Sequence, residues 1–159
     1  LWAIQFIKKE EKMIEIFNNK VSFFENIHSK HNSPCSIKHI LDLIKNEKFN
    51  SEISLIQNET EKIKRDELKK RLPAVTISGL FNESRIKENI INHSGLIQID
   101  LDDVKDLEFE INRLIDDDYS FAVFKSPSGK GLKILVKIPP EINLHEKHFL
   151  ELEKYYLKI

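Results

Sequence analysis

The stretch "HSGLIQIDLDDV", residues 93–104, decides how the chain is read. From Leu96 onward its side chains alternate with the period of a β-strand. Ile97, Ile99 and Leu101 share one face, suited to packing against helices. Leu96, Gln98, Asp100 and Asp102 share the other, which is expected to be open. Asp100 and Asp102 then project side by side, their backbones roughly 7 Å apart. Two like charges about 4 Å apart repel by roughly 1 kcal/mol in water and roughly 4 kcal/mol near a protein surface. An apolar strand that ends this way either opens to solvent or holds a cation. Mg²⁺ or Mn²⁺ suits best, because these hard ions take carboxylate oxygens and keep waters that phosphates replace. The blander reading has Asp102 and Asp103 begin the loop and cap the next helix.

Downstream, "VKDLEFEINRLIDD" predicts a helix with Leu107, Ile111, Leu114 and Ile115 on one stripe. "YSFAVFK" and "GLKILVKI" predict two strands joined by the turn "SPSGKG", and Pro139 and Pro140 stop the second. A helix through Phe149, Leu152 and Tyr156 follows, with Asn143 and Glu146 at capping-box spacing. This β-α-β-β-α order is a ferredoxin/RRM-like unit lacking its final strand, which is expected beyond Ile159, in a longer protein. Connection rules make its first two strands parallel, with the third hairpinned to one of them.

Upstream, the first 20 or so residues read as a helix anchored by Trp2, Phe6, Met13 and Phe17. "KVSFFEN" reads as a strand and "HSKHNSPCS" as a loop. Ser33 and Pro34 are expected to cap a helix bearing Ile37, Ile40, Leu41 and Ile44. "ETEKIKRDELKKR" reads as a solvated helix and "LPAVTIS" as a strand. Ser84 is expected to cap a short helix bearing Ile86, Ile90 and Ile91. The fold class is α+β: a mainly helical or extended segment, 1–34, before an α+β domain, 35–159.

Bulk properties narrow the function classes. The chain has 159 residues, 40% of them hydrophobic and 32% charged, enough for a packed core and against general disorder. A net charge of −1 excludes nucleic-acid binding by bulk positive charge alone. The single cysteine, Cys35, excludes an internal disulfide and fits a reducing, cytoplasmic setting. No apolar run approaches the roughly 20 residues of a membrane-spanning helix, so no membrane partner is expected.

The turn adds a second chemical feature. "FKSPSGKGLKILVKI" carries Lys125, Lys130, Lys133 and Lys137 and no acid. Ser126, Ser128, Gly129 and Gly131 make it small, so that backbone N–H groups can approach a phosphate. It is not a Walker loop, because the first glycine and the final GK[ST] are absent. Lys133 and Lys137 share a face with Leu135, opposite Leu132, Ile134 and Val136. Lysines protecting a sheet edge are the plain alternative. Together, an acidic strand end and a basic turn on one sheet are the minimum for nucleotidyl or phosphoryl transfer.

These residues carry a resemblance. "LPAVTISGLF", "HSGLIQIDLDD" and "FKSPSGKGLKILVKI" resemble the N-terminal domain of virulence-associated E-like (BT4734-like) proteins of Bacteroidetes-type genomes and mobile elements. That domain is similar to the archaeo-eukaryotic primase and primase-polymerase superfamily. The resemblance, over roughly residues 35–159, implies a primase-like fold and template-directed nucleotidyl transfer in replication of a mobile element. It implies two metal-binding, catalytic acids at Asp100 and Asp102, with Mg²⁺ or Mn²⁺. It maps Ser128, Gly129, Gly131 and Lys133 onto the contacts to an incoming nucleoside triphosphate; Ser126 and Lys130 of the same turn join that nucleotide-binding set. It also implies a single-stranded nucleic-acid template and a helicase domain further along the full protein. Two departures stand out: Lys133 occupies the position of a histidine, and the third acid of the pattern is not found. The activity of this stretch by itself is therefore left open.

Two other function classes compete. A non-catalytic nucleic-acid or nucleotide-binding module of the same fold needs only the turn and a sheet face. Its usual base-stacking aromatics are poorly placed, since alternation puts Phe121 and Phe124 on opposite faces. "IDLDDV" also fits the start of haloacid-dehalogenase-type phosphatases, with Asp100 as nucleophile and Ser126 and Lys130 on phosphate. That fold needs a larger parallel sheet than the remaining chain supplies. His145 and His148 read as surface residues, Asp116–Asp118 as a solvated loop, and Tyr155 and Tyr156 as helix packing.

Overall fold

The computed structural model describes residues 5–6 and 10–157, with side chains from 14 to 156. Its elements in chain order are β1 (Gln5–Phe6), α1 (Glu10–Asn18), β2 (Lys20–Phe24), β3 (Ser33–Ser36), α2 (Ile37–Lys45), α3 (Asn50–Asn58) and α4 (Lys62–Lys69). Then come β4 (Ala74–Thr76), β5 (Gly79–Phe81), β6 (Ile90–His93), β7 (Leu96–Leu101), α5 (Leu107–Ile115), β8 (Ser120–Lys125), β9 (Leu132–Lys137) and α6 (His145–Leu157). The fold is α+β, and every strand pair among the described residues is antiparallel.

The central sheet runs β1-β8-β9-β7. Because β9 is antiparallel to both β7 and β8, those two strands are parallel to each other, with β9 between them. The expected β-α-β-β-α order is therefore present from β7 to α6. Ile97, Ile99, Val123, Leu132, Ile134 and Val136 pack on one face with Leu114 of α5 and Tyr156 of α6. That is the helix-covered face alternation called for.

The opposite face is covered too, which corrects its reading as open. Leu96, Phe121, Ala122, Phe124 and Leu135 pack there against Val21 of β2 and Ile37, Ile40 and Leu41 of α2. Only toward Gln98 and Asp100 does β7 emerge from this cover. Phe121 and Phe124 also share this face rather than facing opposite ways. A β-bulge between Ser120 and Ala122 inserts one residue and turns Phe121 round. Both rings are buried, so neither offers an exposed stacking platform.

Other upstream expectations shift. The helix read over the first 20 residues is α1 alone, after the short strand β1; Trp2 and the Met13 side chain lie outside the described residues. Residues 33–36 form an edge strand on β2 instead of ending a loop, and Ser36, not Ser33, caps α2 by accepting from the His39 N–H at 3.2 Å. Pro34 is tolerated there because an edge strand has a free side. β3 spans the boundary expected at 34/35. Ile90 and Ile91 belong to β6, paired with β5, and only Lys87–Asn89 makes a 3₁₀ turn. Asp106 caps α5 by accepting from the Phe109 N–H at 3.0 Å, so Asp103 does not. A 3₁₀ turn, Ile142–Leu144, without a side-chain cap precedes α6 in place of the expected capping box. No helix among the described residues is long and apolar enough to cross a membrane.

Candidate functional site

Strand register places the two sequence features against each other. Asp100 of β7 lies directly across from Lys133 of β9, and Leu101 across from Leu132. Cross-strand neighbours on one face approach within about 5 Å at Cβ, within reach of a lysine. Lys133 Nζ sits 2.8 Å from Asp100 Oδ2. The Gln98 amide donates to Asp100 Oδ1 at 2.8 Å. Alternation placed Gln98 on the face of Asp100, but its role as a partner of that carboxylate was not foreseen. Asp100 is about half exposed (49%) while Lys133 is mostly covered (24%). Such a half-exposed pair contributes at most about 1 kcal/mol to stability. Its interest is the fixed placement of opposite charges.

The turn presses onto the same strand end. Ser126 N–H donates to Gly131 O at 2.8 Å and Gly129 N–H to Ser126 O at 2.9 Å. Gly129 has φ +70°, a conformation that favours glycine. Val104 N–H donates to Lys130 O at 2.9 Å, clasping the turn to the chain beyond β7. A Cβ on Gly131 would lie 2.4 Å from Leu101 O. Gly131 is therefore a close-packing glycine, whatever else it does. Ser126 and Ser128 face each other, Oγ to Oγ at 3.1 Å, and Lys130 points outward, exposed. Gln57 of α3 reaches the turn at Pro127 O, at 3.5 Å. Nothing in the local sequence signals that contact.

Asp102 is exposed and lies one residue past the last paired residue, so strand alternation no longer fixes its face. Its α-carbon lies 3.4 Å from where a Gly131 Cβ would be. Asp100, Asp102, Lys133 and the turn Ser126–Gly131 thus gather at one end of the sheet. Beside them opens a cleft of about 510 Å³ between the sheet and α2, α3 and β4. Phe23, Ile44, Phe49, Ile53 and Phe124 make it apolar, and Gln98, Lys125 and Lys133 line its wall toward Asp100. Its size and its few polar groups are those of small-molecule sites.

Two carboxylates at an exposed strand end suit a hard divalent cation by donor type. As placed, though, both oxygens of Asp100 are engaged by Lys133 and Gln98. Among the described residues no group of three or more His, Cys, Asp or Glu converges to hold a metal. Asp100 and Asp102 offer the donor type such an ion takes, and Asp100 can do so only when Lys133 releases it.

Elsewhere, two clusters differ from their sequence reading. His145 is not a surface residue: its Nδ1 lies 3.0 Å from Nε2 of His93, which is buried. Gly95 N–H donates to His93 Nδ1 at 2.9 Å, so neutral His93 keeps its proton on Nε2 and donates it to His145. His148 is half-buried as well. Asp117 is not solvated: it accepts from Tyr155 Oη at 2.6 Å, Tyr156 Oη at 3.0 Å and the N–H groups of Tyr119 and Ser120.

The family model described as BT4734-like, N-terminal domain, matches residues 67–159, which include β7, β9 and the turn between β8 and β9. The chain belongs to this family. No curated protein and no solved structure matches it.

Proposed function

We propose that the acidic strand end and the basic turn form a nucleotide site for template-directed nucleotidyl transfer, as in a primase or primase-polymerase. The observation that carries this reading is the cross-strand placement of Asp100 against Lys133, 2.8 Å apart, beside the Ser126–Gly131 turn. Ser126, Ser128, Gly129, Lys130, Gly131 and Lys133 would take the triphosphate, and the neighbouring cleft its base and sugar. Asp100 and Asp102 would hold Mg²⁺ or Mn²⁺, which would make the attacking nucleotide 3′-hydroxyl more acidic and neutralise the leaving pyrophosphate. The order β7-α5-β8-β9-α6, with β9 between β7 and β8, supports a ferredoxin-like core of the primase kind. The natural further partner is a single-stranded template.

Melting with Mn²⁺ and ATP tests the site. A ligand at a hundred times its dissociation constant stabilises by about 2.7 kcal/mol, roughly 5–10 °C for a domain of this size. Wild type is expected to shift and an Asp100→Asn, Asp102→Asn double variant is not. Equal shifts would remove the site. Primer extension on a single-stranded template then separates transfer from binding.

One observation favours a second reading, a nucleotide or nucleic-acid-binding module without transfer: Asp100 is already neutralised by Lys133. On that reading the protein shifts with ATP or single-stranded DNA and extends no primer. The phosphatase reading gains no support from a sheet whose described pairs are all antiparallel.

A further inference from the structure

We propose that Lys133 is an exchangeable counter-ion, closed on Asp100 in the free protein and handed to phosphate when metal and nucleotide arrive together. This rests on the nucleotide reading above and adds to it a rule of occupancy: the site takes the metal–nucleotide complex and holds either component alone weakly.

The premise is that the group expected to hold phosphate and the group expected to hold metal are each other's partner. Lys133 Nζ lies 2.8 Å from Asp100 Oδ2, while the Gln98 amide at 2.8 Å fixes the other oxygen and hence the carboxylate plane. A divalent ion arriving alone must expel Lys133 and leave a mostly covered ammonium without a counter-charge. A triphosphate arriving alone must draw Lys133 away, leaving Asp100 unneutralised beside phosphate and two residues from the exposed Asp102. When both arrive, each charge finds an opposite one: ammonium with phosphate, carboxylate with the cation. The lysine side chain is built for this. Lys133 lines the cleft and lies across the ladder from Phe124, and its four methylenes let the ammonium swing without backbone movement. An arginine, held by a planar fork, would exchange less readily. Metal and nucleotide are therefore positively coupled through one side chain, and the coupling is reciprocal.

The test compares wild type with Lys133→Met and Lys133→Gln, each first checked for native circular dichroism. Binding of Mn²⁺ alone is read from loss of the free-ion electron paramagnetic resonance signal. Removing Lys133 frees Asp100, so both variants are expected to bind Mn²⁺ alone at least tenfold more tightly than wild type. Adding Asp100→Asn to either variant should abolish the gain. ATP affinity is measured in parallel by calorimetry, with and without saturating Mn²⁺. It should fall at least tenfold in both variants in the presence of Mn²⁺. If the variants bind Mn²⁺ no more tightly than wild type, or if the gain survives Asp100→Asn, the exchange is overturned while the nucleotide site can still stand. If the Mn²⁺ gain appears but wild type binds no ATP with Mn²⁺, both fall, since Lys133 then has no phosphate to go to.

Discussion

Gly131 and His93 are each fixed by an atom that a side chain or proton would disturb. At Gly131 a methyl group would sit 2.4 Å from Leu101 O, a backbone atom that cannot move without opening the β7–β9 ladder. Gly131→Ala is therefore expected to cost about 1–3 kcal/mol, the usual range for overpacking, read as a lower urea midpoint. It should also weaken ATP binding, because the turn must retreat from the strand end that carries Asp100 and Asp102. An unchanged midpoint would mean that the turn yields freely. For His93, burial first, then the nearby His145 and His148, push its pKa down to about 4. His145 is lowered by burial, His148 and Lys87. A proton on either ring must break the shared hydrogen bond or the one from Gly95. The unfolded chain, with histidine near 6.5, binds that proton more tightly than the folded one. This stability is thus fully present above about pH 6.5 and is lost as pH falls toward 4. By pH 5 the loss is about 2 kcal/mol. Denaturation at pH 7 and pH 5 checks this: the gap between wild type and His93→Phe should narrow by about that amount. A gap independent of pH would clear His93.

Among the elements, α6 is held at its C-terminal end by one carboxylate. Burial draws the Asp117 carboxyl upward, but hydrogen bonds from Tyr155, Tyr156, Tyr119 N–H and Ser120 N–H outweigh it and hold it below the ordinary carboxylate range. Asp117→Ala leaves the buried Tyr156 hydroxyl with only Ser120. The expected cost is about 1–3 kcal/mol, with faster hydrogen exchange in α6 than in β9; uniform exchange across both would count against it. The sequence hid this pin because three consecutive acids at a helix end look solvated and the tyrosines lie 38 and 39 residues away. The same distinction runs through the elements. β7, α5 and β9 were legible because each carries its own period, and β8 because it is a short apolar run, all four bounded by Gly, Pro or Asp. β6 was not: Ile86, Ile90 and Ile91 satisfy a helical spacing, and only pairing with β5 makes the last two a strand. β3 carries no period, and its partner β2 creates it. α3, unforeseen, buries only Ile56. In the site, alternation grouped Asp100 with Gln98 on one strand and Lys133 with Leu135 on another, without saying that the two groups share a face. It could not foresee their direct contact, which depends on register.

At the scale of the whole molecule, the central sheet is a shared wall. Its α5–α6 face belongs to residues within the family match, 67–159, but most of the cover on its other face comes from β2 and α2, outside that match. Leu96, Phe121, Phe124 and Leu135 are buried against that cover. Asn19 adds a hydrogen bond to Ser94 O at 2.9 Å, and Ser22 accepts from Phe81 N–H at 2.9 Å. Fully burying one such large side chain is worth about 1.5–3 kcal/mol, so these four together represent on the order of 8 kcal/mol. Whole domains are stable by only about 5–15 kcal/mol. A fragment of residues 67–159 is therefore expected not to fold cooperatively, despite containing Asp100, Asp102 and the whole of the Ser126–Lys133 stretch. It should bind a hydrophobic dye strongly and melt without a sharp transition, where the full chain melts sharply. Adding residues 1–66 as a separate chain should restore the transition and the response to Mn²⁺ and ATP together, because what the fragment lacks is cover for one sheet face rather than any catalytic group. A fragment that melts sharply by itself would show that Ile77 and its neighbours suffice to close that face, and that the N-terminal elements serve the cleft alone.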